Sequence, residues 1–339
     1  MMSLSRPAKF PLLKLPFLCI ECVIKNWGDI FDIISFALAS KRTRRMVKNS
    51  KIPVKGIEIF VLEQKLIKLG SMYKTWSFKM TSLESLFYQN ARKNSLVLQD
   101  NAIPLLTRRT DYSFESYTDE NEVTALKMAM EFLNDVFKCS IENVDIKDSN
   151  FPESFGVKST GNLFVNYENS LFDKSRNQKL MALLGNMEVT GTFIFWVKNA
   201  GTEFYCDPKL FKCRKLVFYF NSAAWVTREI LLQFEVPQLR FNKCQFSEGD
   251  IVAFVTQWFH SDNKKLEYLY IQLQERRVSW DEFQDLNSLP FSERNRVPST
   301  ESFPGIDFSE GLEIVRHDGL GATIHFKRGA FLFYIWHNQ

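Results

Sequence analysis

The chain has 339 residues, with 43 Lys+Arg against 39 Asp+Glu and a formal net charge of +4. Its 45% apolar and 24% charged residues are those of an average globular protein, which excludes disorder as the main state. Fourteen Gly and eleven Pro exclude fibrous and low-complexity classes, and the length allows about two domains. The outlier is Phe, at 32 residues.

No stretch approaches the roughly 20 apolar residues of a transmembrane helix. Arg6 and Lys9 precede an apolar stretch in the manner of a secretory leader, but Pro11, Lys14 and Pro16 interrupt it, so the segment reads as folded structure. Cys19, Cys22, Cys139, Cys206, Cys213 and Cys244 are scattered through the chain, unlike a disulfide framework. There is also no Asn-x-Ser/Thr acceptor. A reducing compartment, cytoplasm or nucleus, is the expectation.

In chain order, Ile20, Val23, Ile24 and Trp27 follow the i, i+3, i+4, i+7 spacing of one helical face, and a turn at Asn26–Asp29 carries Gly28. A second stripe runs through Ile30, Ile33, Ile34, Ala37 and Leu38. Ser40 caps a third, basic helix with Met46 and Val47 inward and Lys41, Arg42, Arg44, Arg45, Lys48 and Lys51 outward. Three short helices bury too little surface to stand alone. Pro53 and Gly56 mark a boundary. Ile57–Leu62 and Tyr73–Met80 read as strands separated by Gly70-Ser71, and the polar stretch 99–117 as a loop. Thr118 is placed to cap a long helix bearing Val123, Leu126, Met130, Leu133 and Phe137.

From about residue 140 to 290, short strands and helices alternate. Leu216–Phe220, Leu239–Phe241 and Leu266–Leu273 are strands. Thr227 caps a short helix with Ile230 and Leu231. Ser247 caps a longer one with Ile251, Phe254, Val255, Trp258 and Phe259 on one face, and Ser279 opens a capping-box pattern. The strand spacing suits a leucine-rich-repeat-like stack. Leu312–Arg316, an Asp318-Gly319 turn, Ala322–Phe326 and Phe331–Trp336 read as a closing antiparallel meander. The expected class is α+β: a small three-helix unit over 1–52, then a strand–helix domain over 53–339 closed by antiparallel strands.

Residues 10–43, from Phe10-Pro11-Leu12-Leu13-Lys14-Leu15-Pro16 to Ser40-Lys41-Arg42-Thr43, resemble an F-box. Leu15-Pro16 stands for the opening Leu-Pro pair, and Cys19, Ile20, Val23, Ile24 and Trp27 for the apolar offsets. The chain departs at Leu18, where many F-boxes are acidic, and at Trp27, where Leu is usual. Trp225 with Thr227, Leu231-Leu232, Phe246-Ser247 to Trp258, Leu266-Glu267-Tyr268-Leu269 and the strands from Ile314 to Trp336 resemble the F-box-associated domain of the large nematode family.

These resemblances imply a substrate-receptor subunit of a Skp–cullin–F-box ubiquitin ligase. Such a subunit docks a Skp adaptor, and cullin through it, by the F-box, and a target protein by the C-terminal domain. The adaptor-docking residues are then Leu12, Leu15, Pro16, Ile20, Val23, Ile24 and Ile34. Some of these must instead form the helices' own core, and spacing does not divide them. Tyr219, Tyr268 and Tyr270 are the expected target contacts; alternation sets Tyr268 and Tyr270 opposite Leu269 and Ile271. The alternative is a protein-binding scaffold with a degenerate F-box.

Other motifs favour structure over chemistry. Cys19-x-x-Cys22 has no second ligand pair and reads as buried packing. His260, His317, His325 and His337 lack ligand spacing and read as surface residues, with His317 and His325 as cross-strand neighbours. Gly319-Leu320-Gly321 is a turn, and no Gly-x-Ser-x-Gly elbow presents a nucleophile. The basic run has no interleaved aromatic, which disfavours nucleic acid. The Phe residues fall at core spacing. An adaptor with no enzymatic activity, no cofactor, no metal and no membrane partner is expected.

Overall fold

The computed structural model describes residues 12–27, 29–61, 66–70, 75–80, 92–98, 101–109, 113–118, 122–147, 157–167, 174–197, 204–273, 279–291, 308, 310–327 and 329–337. Arg6, Lys9, Phe10, Pro11, Gly28, Leu62, Ser71 and Tyr73 lie outside them. Helices and sheet are mixed, in two compact units: Met1–Glu142 with Ser154–Gly156, and Asn143–Glu153 with Val157–Gln339.

In the first unit, a 3-10 turn at Leu12–Lys14 leads into helices α1 (Phe17–Lys25), α2 (Ile30–Ala39) and α3 (Lys41–Ser50). The Asp29 carboxylate caps α2 by accepting from the Phe31 N–H at 2.9 Å, and the Ser40 hydroxyl caps α3 by accepting from the Thr43 N–H at 3.1 Å. Six strands follow: β1 (Ile57–Val61), β2 (Leu66–Gly70), β3 (Thr75–Met80), β4 (Arg92–Leu98), β5 (Asn101–Arg109) and β6 (Ser113–Thr118). They pair in the order β1-β2-β3-β6-β5-β4, antiparallel except for β3 with β6. Helix α4 (Glu122–Phe137) lies against β2, β3 and β4. Its stripe of Leu126, Met130, Leu133 and Phe137 is buried, as the spacing predicts. Phe132 meets the Trp76 ring at 6.4 Å, and the indole N–H donates to Ser116 at 3.1 Å.

Helices α3 and α4 pack together, which supplies the burial that three short helices lack. Arg44 is buried with its guanidinium 5.2 Å from the Phe132 ring centre, and the Lys48 ammonium pairs with Asp135. The basic run is therefore only partly a solvated face.

Two expectations for this unit are corrected. Within the stretch read as a loop, residues 101–109 and 113–117 are strand: β5 alternates, with Ile103, Leu105 and Thr107 buried and Ala102 and Arg108 exposed. Its polar residues mask that period, and Pro104 falls where β5 is accompanied by β4 and not by β6. Thr118 is the buried last residue of β6 and not the cap of α4.

The second unit is built on parallel strands β7 (Ile141–Ile146), β9 (Asn162–Tyr167), β11 (Thr192–Val197), β12 (Lys215–Tyr219), β13 (Gln238–Phe241) and β14 (Tyr268–Gln272), paired in that order. Two-residue strands β8 (Ser159–Thr160) and β10 (Glu188–Val189) pair beside them. Helices α5 (Lys174–Asn186), α6 (Arg228–Leu231) and α7 (Glu248–His260) lie in the connections.

The register lines up two apolar rows, Val144–Leu163–Phe193–Leu216–Leu239–Leu269 and Ile146–Val165–Phe195–Phe218–Phe241–Ile271. All twelve residues are buried. Phe211 stacks on Phe193 at 5.5 Å, Phe204 on Phe195 at 5.4 Å, and Phe234 and Trp225 close over Phe218 at about 6.1 Å. Part of the Phe excess is this layer, and Phe31, Phe132, Phe254, Phe283, Phe331 and Phe333 are buried elsewhere.

Ser247 and Asp250 form a reciprocal capping box on α7. Ser279 instead opens a 3-10 helix, Trp280–Leu286, by accepting from the Asp281 N–H at 3.3 Å. Strand β14 is covered by an antiparallel end, β15 (Leu289–Pro290), β16 (Leu312–Val315), β17 (Gly321–Lys327) and β18 (Ala330–Trp336), in the order β15-β16-β17-β18-β14. The β16–β17 turn is the expected one, with Gly319 at φ +83°.

His325 is buried and registers with Leu332 of β18, while His317 lies exposed in the turn, so the two are not cross-strand neighbours. Arg316 is also buried: it holds Asp318 through two bonds of 3.1 and 2.6 Å and the Asn263 carbonyl at 2.9 Å, and its guanidinium is 5.0 Å from the Trp258 ring centre.

Replacing Phe218 with Ala leaves a cavity inside the ring layer and is expected to cost about 3–5 kcal/mol in chemical denaturation. Arg316 holds the Asp318 carboxyl well below the usual carboxylate range. That contribution is complete above the ordinary aspartate value of ~3.9 and is lost as pH falls toward the depressed value of the folded state. Asp318→Asn is expected to lower the melting temperature at pH 7 and to flatten the decline that the wild type shows below about pH 4.

Candidate functional site

Two surfaces carry exposed groups that their own units do not use. The first is the N-terminal segment of the first unit. On α1, only Ile20 and Ile24 face inward, where α2 contributes Ile30, Phe31, Ile33, Ile34 and Ala37. Trp27 packs edge-on against Phe36 at 5.1 Å. Of the residues expected to dock an adaptor, Ile20, Ile24 and Ile34 are thus buried core. Leu12, Leu15 and Val23 are half-exposed and Pro16 is exposed. The sequence reading missed the most open apolar groups, Leu13, Phe17 and Leu18, which are 38%, 43% and 72% exposed. A signal was available for Leu18, which precedes Ile20 by two positions and falls off its stripe, but not for Phe17, which precedes Ile20 by three and so shares its face by spacing, although it stands at the open start of α1. The Arg42 guanidinium donates to the Leu13 carbonyl at 3.0 Å and anchors the turn before α1.

Cys19 and Cys22 are exposed on α1, contrary to the burial expected, because the inward stripe is only Ile20 and Ile24 wide. Among the described residues, no group of three His, Cys, Asp or Glu could hold a metal ion, and no helix is long and apolar enough to cross a membrane. Burial pushes the Cys206 and Cys213 thiols up to about 12 and the Cys139 and Cys244 thiols up to about 11, which keeps them protonated.

The second surface is the sheet face opposite the Phe layer, at the carboxyl ends of β11–β14. Alternation places Trp196, Tyr219, Arg240 and Tyr270 there, all half-exposed. Trp196 lies 5.6 Å from Tyr219 and 5.1 Å from Phe220, the Arg240 guanidinium 4.6 Å from the Tyr270 ring centre, and the Lys243 ammonium 5.5 Å from that of Phe220. Tyr219 and Tyr270 are as open as expected. Tyr268 is not: it is 2% exposed, and burial pushes its phenol up to about 12.

Phe220 is 40% exposed and is held at φ +50°, in the left-handed region. Lys243, at φ +62°, occupies the matching place one strand on, because Phe218 registers with Phe241. Ser222 secures the Phe220 turn: its hydroxyl donates to the Tyr219 carbonyl and accepts from the Val197 N–H at 2.9 Å.

At the opposite ends of these strands lies an open cleft of about 620 Å³ that includes Lys209, Arg214, Glu235 and Lys265. Its charges are largely answered from within. Lys265 bonds Glu235 at 2.5 Å and, with Lys209, holds that carboxyl below its usual range, while Arg214 lies 3.9 Å from Glu267.

Residues 209–271, which run through β12, β13 and nearly all of β14, match the family described as F-box associated. This stretch is therefore similar to F-box-associated domains. The chain is 24% identical over 350 residues to the uncharacterized protein F59B2.8 of Caenorhabditis elegans, covering 93% of this chain and 74% of that one. It is also 24% identical over 295 residues to the E3 ubiquitin-protein ligase hecw-1 of the same organism, covering 78% of this chain but only 23% of that protein. A third C. elegans relative, the uncharacterized protein F59B2.9, is 30% identical over 114 residues, 31% of this chain and 25% of its own. No solved structure matches.

A left-handed backbone costs a side chain with a Cβ about 1–2 kcal/mol and costs Gly nothing. Phe220→Gly is therefore expected to be more stable than Phe220→Ala by about 1 kcal/mol, the reverse of the usual order. Paired urea titrations of the two variants read the difference directly.

Proposed function

We propose that the protein is the substrate receptor of a Skp–cullin–F-box ubiquitin ligase. The F-box lies in residues 1–52 and docks a Skp adaptor, and through it cullin. The remainder, with its leucine-rich-repeat-like parallel stack, holds the target protein. The observation that carries this reading is the F-box-associated match over 209–271. It is supported by the apolar lip ahead of and on α1, where Leu13, Phe17 and Leu18 present surface of the kind a partner groove buries. The receptor performs no bond chemistry. It raises the effective concentration of target lysines near a conjugating enzyme.

One observation favours the alternative of a scaffold with a degenerate F-box. Arg44 and Lys48 bind α3 to α4 through Phe132 and Asp135, so the F-box-like helices are part of the folded unit.

Capture of the purified full chain on an immobilised Skp adaptor separates the two. Phe17→Asp with Leu18→Asp is expected to abolish capture while leaving the melting temperature within about 2 °C, since neither side chain belongs to the buried seam of the helices. Ile24→Asp is expected to unfold the helices. Failure of the wild type to bind the adaptor, or unchanged capture by the double variant, overturns the receptor reading.

A further inference from the structure

We propose that the carboxyl ends of β11–β14 form a binding site for an acidic, extended peptide segment of a partner protein. The assignment names the target class of the receptor proposed above and rests on that reading only for calling the peptide a target.

The first argument is charge. Arg240 and Lys243 stand on or beside this face, and no carboxylate pairs with either of them among the described residues; Arg240 donates from its Nε to the Asn242 side-chain oxygen at 3.0 Å. Toward the carboxyl ends the outward positions are Ile194, Trp196, Val217, Tyr219, Arg240, Tyr270 and Gln272, without an Asp or Glu, whereas at the amino ends Gln238 donates to the Glu267 carboxylate at 2.6 Å. In a chain with nearly equal numbers of acidic and basic residues, this is local segregation of charge.

The second argument is the disposition of the rings. A surface for single-stranded nucleic acid needs open aromatic faces on which bases stack. Here the Arg240 guanidinium covers Tyr270 and the Lys243 ammonium covers Phe220. What remains open is Trp196 with the edges of Tyr219 and Phe220, a shallow apolar patch suited to a Leu or Phe side chain. Neighbouring strands lie about 4.8 Å apart, so four strands span roughly 14 Å, the reach of four or five extended residues.

The third argument is strain. Phe220 and Lys243, which touch each other, hold left-handed backbones at the ends of adjacent strands, a conformation that presents the ring and the ammonium together.

The test is panning of a random peptide display library, about ten residues long, on the full chain, followed by fluorescence polarisation with the recovered peptides. The expected result is enrichment of Asp and Glu beside one apolar anchor, with affinity that falls as salt rises. Joint replacement Arg240→Glu and Lys243→Glu is expected to weaken binding roughly tenfold or more. Phe220→Gly, which relieves strain, is expected to keep the fold by circular dichroism and lose binding.

Recovery of no peptides, recovery of peptides without acidic enrichment, equal binding by the charge-reversed variant, or tighter binding of a single-stranded oligothymidylate each overturns the proposal. Adaptor capture is measured on the same variants. Intact capture with no acidic-peptide binding sinks this inference alone, and acidic-peptide binding without capture sinks only the receptor reading.

Discussion

Much of the second unit depends on one register. When Phe218 pairs with Phe195 and Phe241, every alternate residue on those strands is committed to the ring layer beneath Phe204, Phe211, Phe234 and Trp225. Side chains alternate with a period of two, so a one-residue slip would move Trp196, Tyr219 and Arg240 into the core and the Phe row into water. Burying apolar rings on one face therefore also defines what the other face displays. In a stack where each strand meets only its neighbours, stability comes from these nearest-neighbour layers. The antiparallel strands β15–β18 cover the last parallel edge, which would otherwise offer unpaired backbone groups to other chains.

The first unit has a different economy. Helices α1–α3 have one narrow apolar seam, Ile20, Ile24, Phe31, Ile34 and Val47, and α3 gains a second partner by laying Arg44 and Lys48 on α4. The seam satisfies the helices' own packing without using Leu13, Phe17 or Leu18. An isolated exposed Leu is ordinary, but three large apolar groups within six residues form a patch. In a functional account, the buried Ile residues build the platform and the exposed ones make the contact.

The elements readable from sequence were those whose pattern is repeated or punctuated. Leu126 to Phe137 and Ile251 to Trp258 are helical stripes with little competition, and Leu216 and Leu239 fall on one row as their spacing suggests, although the third member of that row is Leu269 and not Leu266, which precedes β14. The Ser40, Ser247 and Gly319 signals act locally and need no tertiary context. What was lost is what depends on partners. Strand β5 has a buried Ile103–Leu105–Thr107 edge hidden among polar residues. Tyr268 and Tyr270 share one side of β14, yet only Tyr270 is open, a difference set by surroundings that alternation does not encode. Dividing Ile20 and Ile24 from Leu12, Leu15 and Pro16 likewise required the helices' mutual packing. Phe220 could have been found by aligning Leu216-x-Phe218 with Leu239-x-Phe241, which sets Phe220 opposite Lys243.

That pair also stands apart from the other left-handed residues of the chain. Five described residues other than Gly have positive φ: Lys51, Lys138, Phe220, Lys243 and Asn287. Three of them follow helical segments. Lys51 ends α3, Lys138 donates its N–H to the Asn134 carbonyl after α4, and Asn287 ends the 3-10 helix. There a left-handed residue is the ordinary way to satisfy the last carbonyls. Phe220 instead opens the short 3-10 turn Phe220–Ala223 directly after β12, and Lys243 lies two residues past β13, so neither closes a helix, and one of them is an aromatic residue for which this backbone is unfavourable. Local preference and global fold agree almost everywhere else in this unit, from the capped α7 to the Gly319 turn. The place where they disagree is the place where a ring and an uncompensated cation are held together at the surface.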